Sequence, residues 1–432
     1  MKSYYILPQN IEIDKIVERM INEDYEKFCE FGMPQNVERF IYDKYGMDIS
    51  SSYGKYKIKN PFGIASGQLS TNISQIKKGI QNGIGFIVLK TVISESITGS
   101  SSMRDWKVDA PKMVVEDCVS RTGEKGYTVT WKGRGWHKSF EEYISFFEES
   151  LILSKMGGTP VIPSCKFNLP NIKNNEKFHS DEYIYTLKSL FKAWKKVMGN
   201  ELMHLEKDFS PTLSGSDLSK ERDNILWWLK NVPEKIKKST DGEGICLGVK
   251  VMNAVFEDEF QLEMLKSLFN KDFGPDYLIC FNRLFDSNKV FEDKKGVAYG
   301  GYDLSYRNLK VLTNLRILES RGEIDTLNIP ISGTGNICSG KMMIEYGLRG
   351  CENGQIHTLF QIPSSNYGMK KGDRISKTLN ELLFNPNTGL IAGMEYLYEK
   401  DILEKNNGII EYKNLTNAYK RHYIFEEWDD KQ

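Results

Sequence analysis

Residues 329–350 read IPISGTGNICSGKMMIEYGLRG. A short apolar run comes first, then Gly333 and Gly335 around Thr334, then an apolar-periodic stretch that predicts a helix beginning near Ser339. This is one strand feeding one helix through a glycine turn, the unit from which parallel sheets are built. From residue 60 onward the same alternation recurs. Strands are predicted at Gly63–Ser66, Gly85–Lys90, Pro160–Ser164, Leu202–Glu206, Leu247–Val251, Tyr277–Phe281, Ile329–Ser332 and Gln355–Thr358. Helices are predicted at Ile73–Gln81, Phe140–Leu153, Glu182–Val197, Ile225–Lys238, Glu259–Leu268, Leu309–Glu319, Lys341–Tyr346 and Ile375–Leu383. Eight strands alternating with eight helices predict an α/β protein, a single (β/α)8 TIM barrel over 51–390 with long βα loops. A helical extension over 1–50 and a helical tail over 391–432 flank it. The rival, a doubly wound sheet binding a dinucleotide, would carry GxGxxG after its first strand, where this chain has ASGQLS at 65–70.

Composition narrows the partners. The 432 residues carry 58 Lys+Arg against 58 Asp+Glu, so no global field draws in nucleic acid, and no local basic patch replaces it. The amino terminus, MKSYYILPQNIEIDKIVERM, has neither a signal-peptide core nor an apolar span, which predicts a cytoplasmic protein without a membrane span. Residues 11–28 instead predict an amphipathic helix, for packing on the body or for contact with a second copy in a homodimer. Cys29, Cys118, Cys165, Cys246, Cys280, Cys338 and Cys351 are scattered without a CxxC pair, so reduced thiols are expected and no metal site is.

Two lysines close apolar strands, Lys90 in FIVLKT and Lys250 in LGVKVM. A lysine ending a buried strand calls for an anionic partner, such as a phosphate, a substrate carboxylate or the charge of a reduced cofactor ring; the plain alternative is snorkelling to the sheet's mouth. The GTG turn at 333–335 follows the seventh predicted strand, where barrels usually bind phosphate. The polar stretch 207–224, KDFSPTLSGSDLSKERDN, directly follows a predicted strand and is expected at the catalytic rim.

NPFGIASG (60–67), IVLKTV (87–92), DFSPT (208–212), LGVKV (247–251), GGYDLSYRNLK (300–310), IPISGTGNI (329–337) and QIHTL (355–359) occur in the order of the corresponding segments in dihydroorotate dehydrogenases. Over roughly residues 55–390 the chain resembles that FMN-dependent family of pyrimidine biosynthesis. The resemblance implies FMN as cofactor, held by Ala65, Ser66, Gly67, Lys90, Thr91, Lys250 and Gly301, with Gly333, Gly335, Asn336, His357 and Thr358 at the phosphate. It implies Ser210 as the catalytic base, assisted by Lys90, and Lys90, Lys207, Thr212, Asn282 and Arg283 around a small-molecule substrate. The implied reaction is oxidation of a C–C single bond, with a proton leaving to the base and hydride passing to flavin N5. Neither an iron–sulfur cysteine cluster nor an NAD fingerprint is present, which leaves a quinone, a small acid or another flavoprotein as electron acceptor.

The departures bear on the substrate. The family's loop reads N-x-S-[SC]-P-N, whereas this chain has Lys207 and Thr212 at the two amide positions. Arg283 stands where a small residue is usual, and His357 and Tyr306 stand at glycine positions. Sites tuned by buried hydrogen bonds reject mismatched partners, so dihydroorotate itself is in doubt and a more negative substrate is favoured. In the segment 116–139, with Arg121, Trp131, Arg134, Trp136 and His137, either tryptophan covers the ligand or packs under a long loop. Two other readings stand beside the oxidoreductase: a Schiff-base aldolase or lyase using a strand-end lysine, and a non-catalytic flavin or metabolite binder.

Overall fold

The helix predicted over Ile73–Gln81 forms with those bounds because the Asn72 side chain accepts the Gln75 N–H and closes its first turn. The other predicted helices form as Phe140–Gly157, Ser180–Met198, Arg222–Lys238, Asp258–Leu268, Leu304–Ser320, Gly340–Gly347 and Arg374–Phe384. These elements come from a computed structural model that describes residues 5–104, 112–119, 123, 125–132, 135–209, 221–291, 294–301 and 304–421. Among them, no helix is long and apolar enough to cross a membrane.

The helices cover a curled parallel sheet of ten strands, where eight were expected. Its order is Val92–Ile93, Ser164–Lys166, Met203–Phe209, Ile245–Met252, Tyr277–Asn282, Ile331–Thr334, Cys351–Ile356, Phe62–Ile64, Phe86–Val88, Val161–Ile162. The extra two strands, Val92–Ile93 and Ser164–Lys166, continue the chain past the second and third predicted strands, after interruptions at 89–91 and at Pro163, which has no N–H to donate. Both ends of this order belong to the same two stretches of chain, 86–94 and 160–166. Along them the N–H groups of Ile87, Leu89 and Ser94 donate to the carbonyls of Pro160, Ile162 and Lys166 at 2.9, 2.8 and 2.8 Å.

Two-residue alternation gives the sheet two apolar faces. The outer one joins the large cluster under the helices, through residues such as Leu205, Val249 and Leu278. The inner one is small: Phe86, Val88, Ile162, Cys246, Tyr277 and Ile279 pack with Tyr53 and Ile58 from the hairpin Ser51–Tyr53/Tyr56–Ile58. Tyr53 stacks on Phe86 at 4.1 Å and plugs the amino-terminal end of the sheet. The other, carboxyl-terminal end is built differently.

That end carries an element the sequence reading took for loops. Hairpins Lys112–Val119/Lys125–Lys132 and Leu284–Phe291/Lys294–Gly301 join edge to edge as a four-stranded antiparallel sheet, with Tyr299, Gly300 and Gly301 paired to Thr130, Val129 and Thr128. Gly301 is required at the seam. Its φ is +134°, and a Cβ there would lie 2.3 Å from the Tyr127 carbonyl.

The amino-terminal helix runs Lys15–Phe31 instead of 11–28, because Asp14 caps it by accepting the N–H groups of Ile16 and Val17. It packs on the body, with Phe28 edge-on to Phe384 at 4.8 Å and the Tyr25 hydroxyl donating to Glu381 at 2.8 Å. The expected helical tail is mixed. After Leu390–Glu399 the chain forms strands Lys405–Asn406 and Ile409–Glu411, the latter pairing parallel with Met47–Asp48.

Candidate active site

A cavity of about 260 Å³ opens at the carboxyl ends of the parallel strands, beneath the antiparallel sheet. Twelve of the site residues expected from the sequence line it: Ala65, Ser66, Lys90, Thr91, Lys250 and Asn282, together with Arg283, Gly301, Gly335, Asn336, His357 and Thr358. Seven strands and turns far apart in sequence thus deliver them to one place. Ser210 and Thr212 lie outside the described residues.

Lys207 is not among the residues brought to the cavity. On Met203–Phe209 the side chains of Glu206 and Asp208 face inward, one to Lys250 and the other to the cavity, so alternation sends Lys207 outward. Its ammonium donates to the Asp208 carbonyl at 3.0 Å and lies 4.6 Å from the centre of the Phe209 ring. Burial pulls its pKa down to about 8, but it does not line the cavity. Gly67 and Gly333 also serve packing: a Cβ on Gly67 would meet His357 at 2.4 Å, and one on Gly333 would meet Tyr346 at 2.7 Å. Trp136 is buried, stacked on Phe146 at 5.1 Å, with its indole N–H donating to the Ser139 carbonyl at 2.9 Å. It is packing, not a ligand cover, and Tyr306 sits in the helix Leu304–Ser320 away from the cavity wall.

Several groups were missed. Glu206 and Gln355 hold Lys250, whose ammonium donates to Glu206 Oε1 at 3.1 Å and to Gln355 Oε1 at 2.6 Å; Tyr53 closes the network by donating to Glu206 Oε2 at 3.0 Å. Asn253 donates its backbone N–H to the carbonyls of Asn282 and Arg283 at 3.1 and 3.2 Å, and its amide to Asn308 at 3.0 Å. Asn308 in turn donates to the carbonyls of Thr334 and Phe281 at 2.8 and 3.2 Å. This amide pair ties three strand ends into one rim. Lys125, Gly126 and Tyr127 enter the wall from the antiparallel sheet, and Tyr127 is held by the Asn366 amide at 2.6 Å. Pairing between hairpins about 170 residues apart leaves no mark in either segment's own pattern.

Electrostatically the wall is cationic. Burial pulls Lys90 down to about 8, Arg283 opposing its charge further and Asp208 supporting it. Burial likewise lowers Arg283 to about 10, with Asp208 partly offsetting it. His357 is pushed to about 3 by burial and by the charges of Lys90, Arg283 and Lys250, so it is a neutral ring; its Nε2 lies 3.0 Å from Gln68 Oε1. Ser66, Thr91 and Ser164 form a hydroxyl chain with links of 2.8 and 3.0 Å.

The comparisons with known proteins are negative. No protein-family model and no curated protein matches the chain. What the residues can hold therefore follows from the donor set. Apolar Ala65, Leu304, Ile337 and Ile356 offer a slot for a flat ring, and Lys250 supplies a cation at its floor. Gly335 (φ +104°) and Asn336 (φ +54°) turn the backbone just ahead of the helix Gly340–Gly347, where N–H groups and helix dipole suit a phosphate. This set could hold a flat ring joined to an anionic group. Among the described residues, no group of His, Cys, Asp and Glu is arranged to hold a metal.

The turn is sterically fixed, which gives a direct test. A Cβ on Gly335 would lie 2.4 Å from Asn308 Nδ2, the atom that holds two strand ends. Gly335→Ala is expected to destabilise the protein by about 1–3 kcal/mol through the forced backbone alone, read as a lowered urea midpoint at unchanged slope.

Proposed function

We propose that this chain is an FMN-dependent oxidoreductase of the dihydroorotate dehydrogenase type, cytoplasmic, acting on dihydroorotate or a related small cyclic anion. The carrying observation is the cavity itself: Lys90, Lys250 and the Gly335–Asn336 turn, three parts of the resemblance, line one apolar slot at the carboxyl ends of the strands. We read the ten strands as a closed eight-stranded (β/α)8 barrel. Support comes from the backbone hydrogen bonds that pair 86–94 with 160–166 at both ends of the strand order, each stretch being one interrupted barrel strand.

FMN bound there would supply the hydride acceptor. The chain's own residues do the rest. Lys250, fixed by Glu206 and Gln355, presents positive charge to the slot; Lys90 and Asn282 orient the substrate; the antiparallel sheet excludes water. Ser210 is the base in this reading, and as a weak one it requires a neighbouring cation and an outlet for its proton. Purified protein should be yellow or take up FMN, and dihydroorotate should bleach the flavin anaerobically. Colourless protein that refuses FMN would overturn the cofactor. Bleaching by dithionite but not by dihydroorotate would reject that substrate and keep the class.

One observation favours a second reading. A buried lysine at about 8, as Lys90 is, is also the kind that forms Schiff bases. Borohydride trapping with carbonyl compounds should leave Lys90 unmodified if the flavin reading holds.

A further inference from the structure

We infer that Glu352 is a pH-sensitive latch for the segment 405–415: as a neutral acid it lets that segment pack on the sheet, and its ionisation loosens the contact. The latch lies at the amino-terminal end of the sheet, away from the cavity, and is independent of the flavin reading. Glu352 is the second residue of the strand Cys351–Ile356, which pairs on one side with Ile331–Thr334 and on the other with Phe62–Ile64. Tyr412, at the head of the short helix Tyr412–Leu415, is fully buried and feels the charge of Glu352. Glu352 Oε2 and the Tyr412 hydroxyl are both buried, and neither has a hydrogen-bond partner among the described residues. Two polar atoms are thus left unbonded where the segment meets the sheet.

A carboxylate buried without a cation or a donor is costly, and a neutral carboxyl group costs much less. Burial accordingly lifts Glu352 to about 7, and no neighbouring charge offsets it. The charged groups around it are engaged elsewhere: Arg316 with Glu319 at 2.7 Å, Arg349 with Glu345 at 2.9 Å and Lys413 with Glu411 at 2.7 Å, while Asp48 acts on Lys413. Lys55 and Lys57 of the hairpin are exposed. Cys351, Tyr412 and Tyr419 are all pushed up by burial and keep their protons. The folded protein therefore holds the Glu352 proton more tightly than an opened one, whose carboxyl group titrates near 4.5. The cost is absent below that value, grows as pH rises and is fully present above about 7. The segment responds first, because the sheet strand is paired on both sides whereas Ile409–Glu411 meets Met47–Asp48 through two residue pairs. It also braces the helix Gly340–Gly347, which follows the Gly335–Asn336 turn: a Cβ on Gly347 would meet Leu415 at 2.6 Å.

Hydrogen exchange on the full chain between pH 5.5 and 8, read at single amides as protection factors corrected for the intrinsic pH dependence, tests the latch. The reporter is the Ile410 amide, which donates to the Gly46 carbonyl at 2.9 Å; the reference is the Leu278 amide, which donates to the Pro330 carbonyl at 2.9 Å within the parallel sheet. Protection at Ile410 is expected to fall by about tenfold or more as pH rises across this range, and Leu278 should not share the fall. In Glu352→Gln, protection at Ile410 should be flat with pH, and at pH 8 at least as high as in the wild type. A flat wild-type profile at Ile410, a fall that Leu278 shares, or a fall that survives in Glu352→Gln would each overturn the latch. If Glu352→Gln does not fold, Glu352→Met, which also removes the charge, decides in its place.

Discussion

Lys250→Met is expected to cost about 3–5 kcal/mol of folding stability, and Glu206→Gln in the same chain is expected to return most of it. An exposed ion pair would be worth at most about 1 kcal/mol, but this one is not exposed. Glu206 is fully buried and Lys250 is 3% exposed, and they meet at 3.1 Å on the inner face of the sheet. Removing the ammonium leaves a buried carboxylate with, among the described residues, the Tyr53 hydroxyl and the Gln355 amide as side-chain donors. Removing the charge as well leaves a neutral amide that those same groups can bond. Urea unfolding of the wild type, the single and the double variant measures both steps. Function should not follow stability. In the proposed flavoprotein the double variant still lacks the cation beside the ring, so flavin reduction should stay down by about 10²–10³ although the fold has recovered. A double variant that recovers both would make Lys250 a structural lysine and nothing more.

The parts of this molecule legible in its sequence are those whose cause is local. The helix at 73–81 was readable because its apolar spacing and its Asn72 cap lie within one window, and the strand at 277–282 because a buried run needs no distant partner to look buried. Lys90 and Lys250 were conspicuous as charges at the ends of apolar runs. Glu206 and Gln355 were not, since nothing near them in sequence shows that they will face Lys250. At Lys207 the loop resemblance and the strand period point different ways: the resemblance implies a place at the substrate, and the two-residue period turns the side chain to the other face. The four-stranded sheet over the cavity was missed because one hairpin lies in the long segment after the second strand and the other in the connection after 281, and only their pairing, about 170 residues apart, joins them. Asn253 and Asn308 likewise look like ordinary polar residues until three strand ends converge on them.

Lys90→Met is expected to move stability and activity in opposite directions. A lysine held at about 8 instead of 10.5 is disfavoured in its charged form by the fold, so the unfolded chain binds more protons between those values. The sign follows: the cost is fully present below about pH 8 and is relieved as pH rises toward 10.5. Near pH 7 it amounts to roughly 3 kcal/mol, so an apolar side chain of similar length should stabilise the protein there by up to that amount. The same charge is what an anionic substrate would meet, so substrate-driven flavin reduction should fall by about 10²–10³ in the variant. In the wild type, anion affinity should be highest below pH 8 and weaken by up to about tenfold per pH unit above it, as Lys90 loses its proton. Among the described residues, Arg283 and Asp208 act on Lys90, and His137 and His357 feel its charge. Both histidines are held below their usual value and stay neutral through this window, and Arg283, at about 10, keeps its charge until higher pH. Lys207 also titrates near 8, but it lies on the outer face of its strand. Anion affinity in Lys90→Met should therefore be weak and flat across pH 7–9. A pH dependence that survives in the variant would assign the titration to Lys207 or to the loop beyond it, and would remove Lys90 from the binding of the anion.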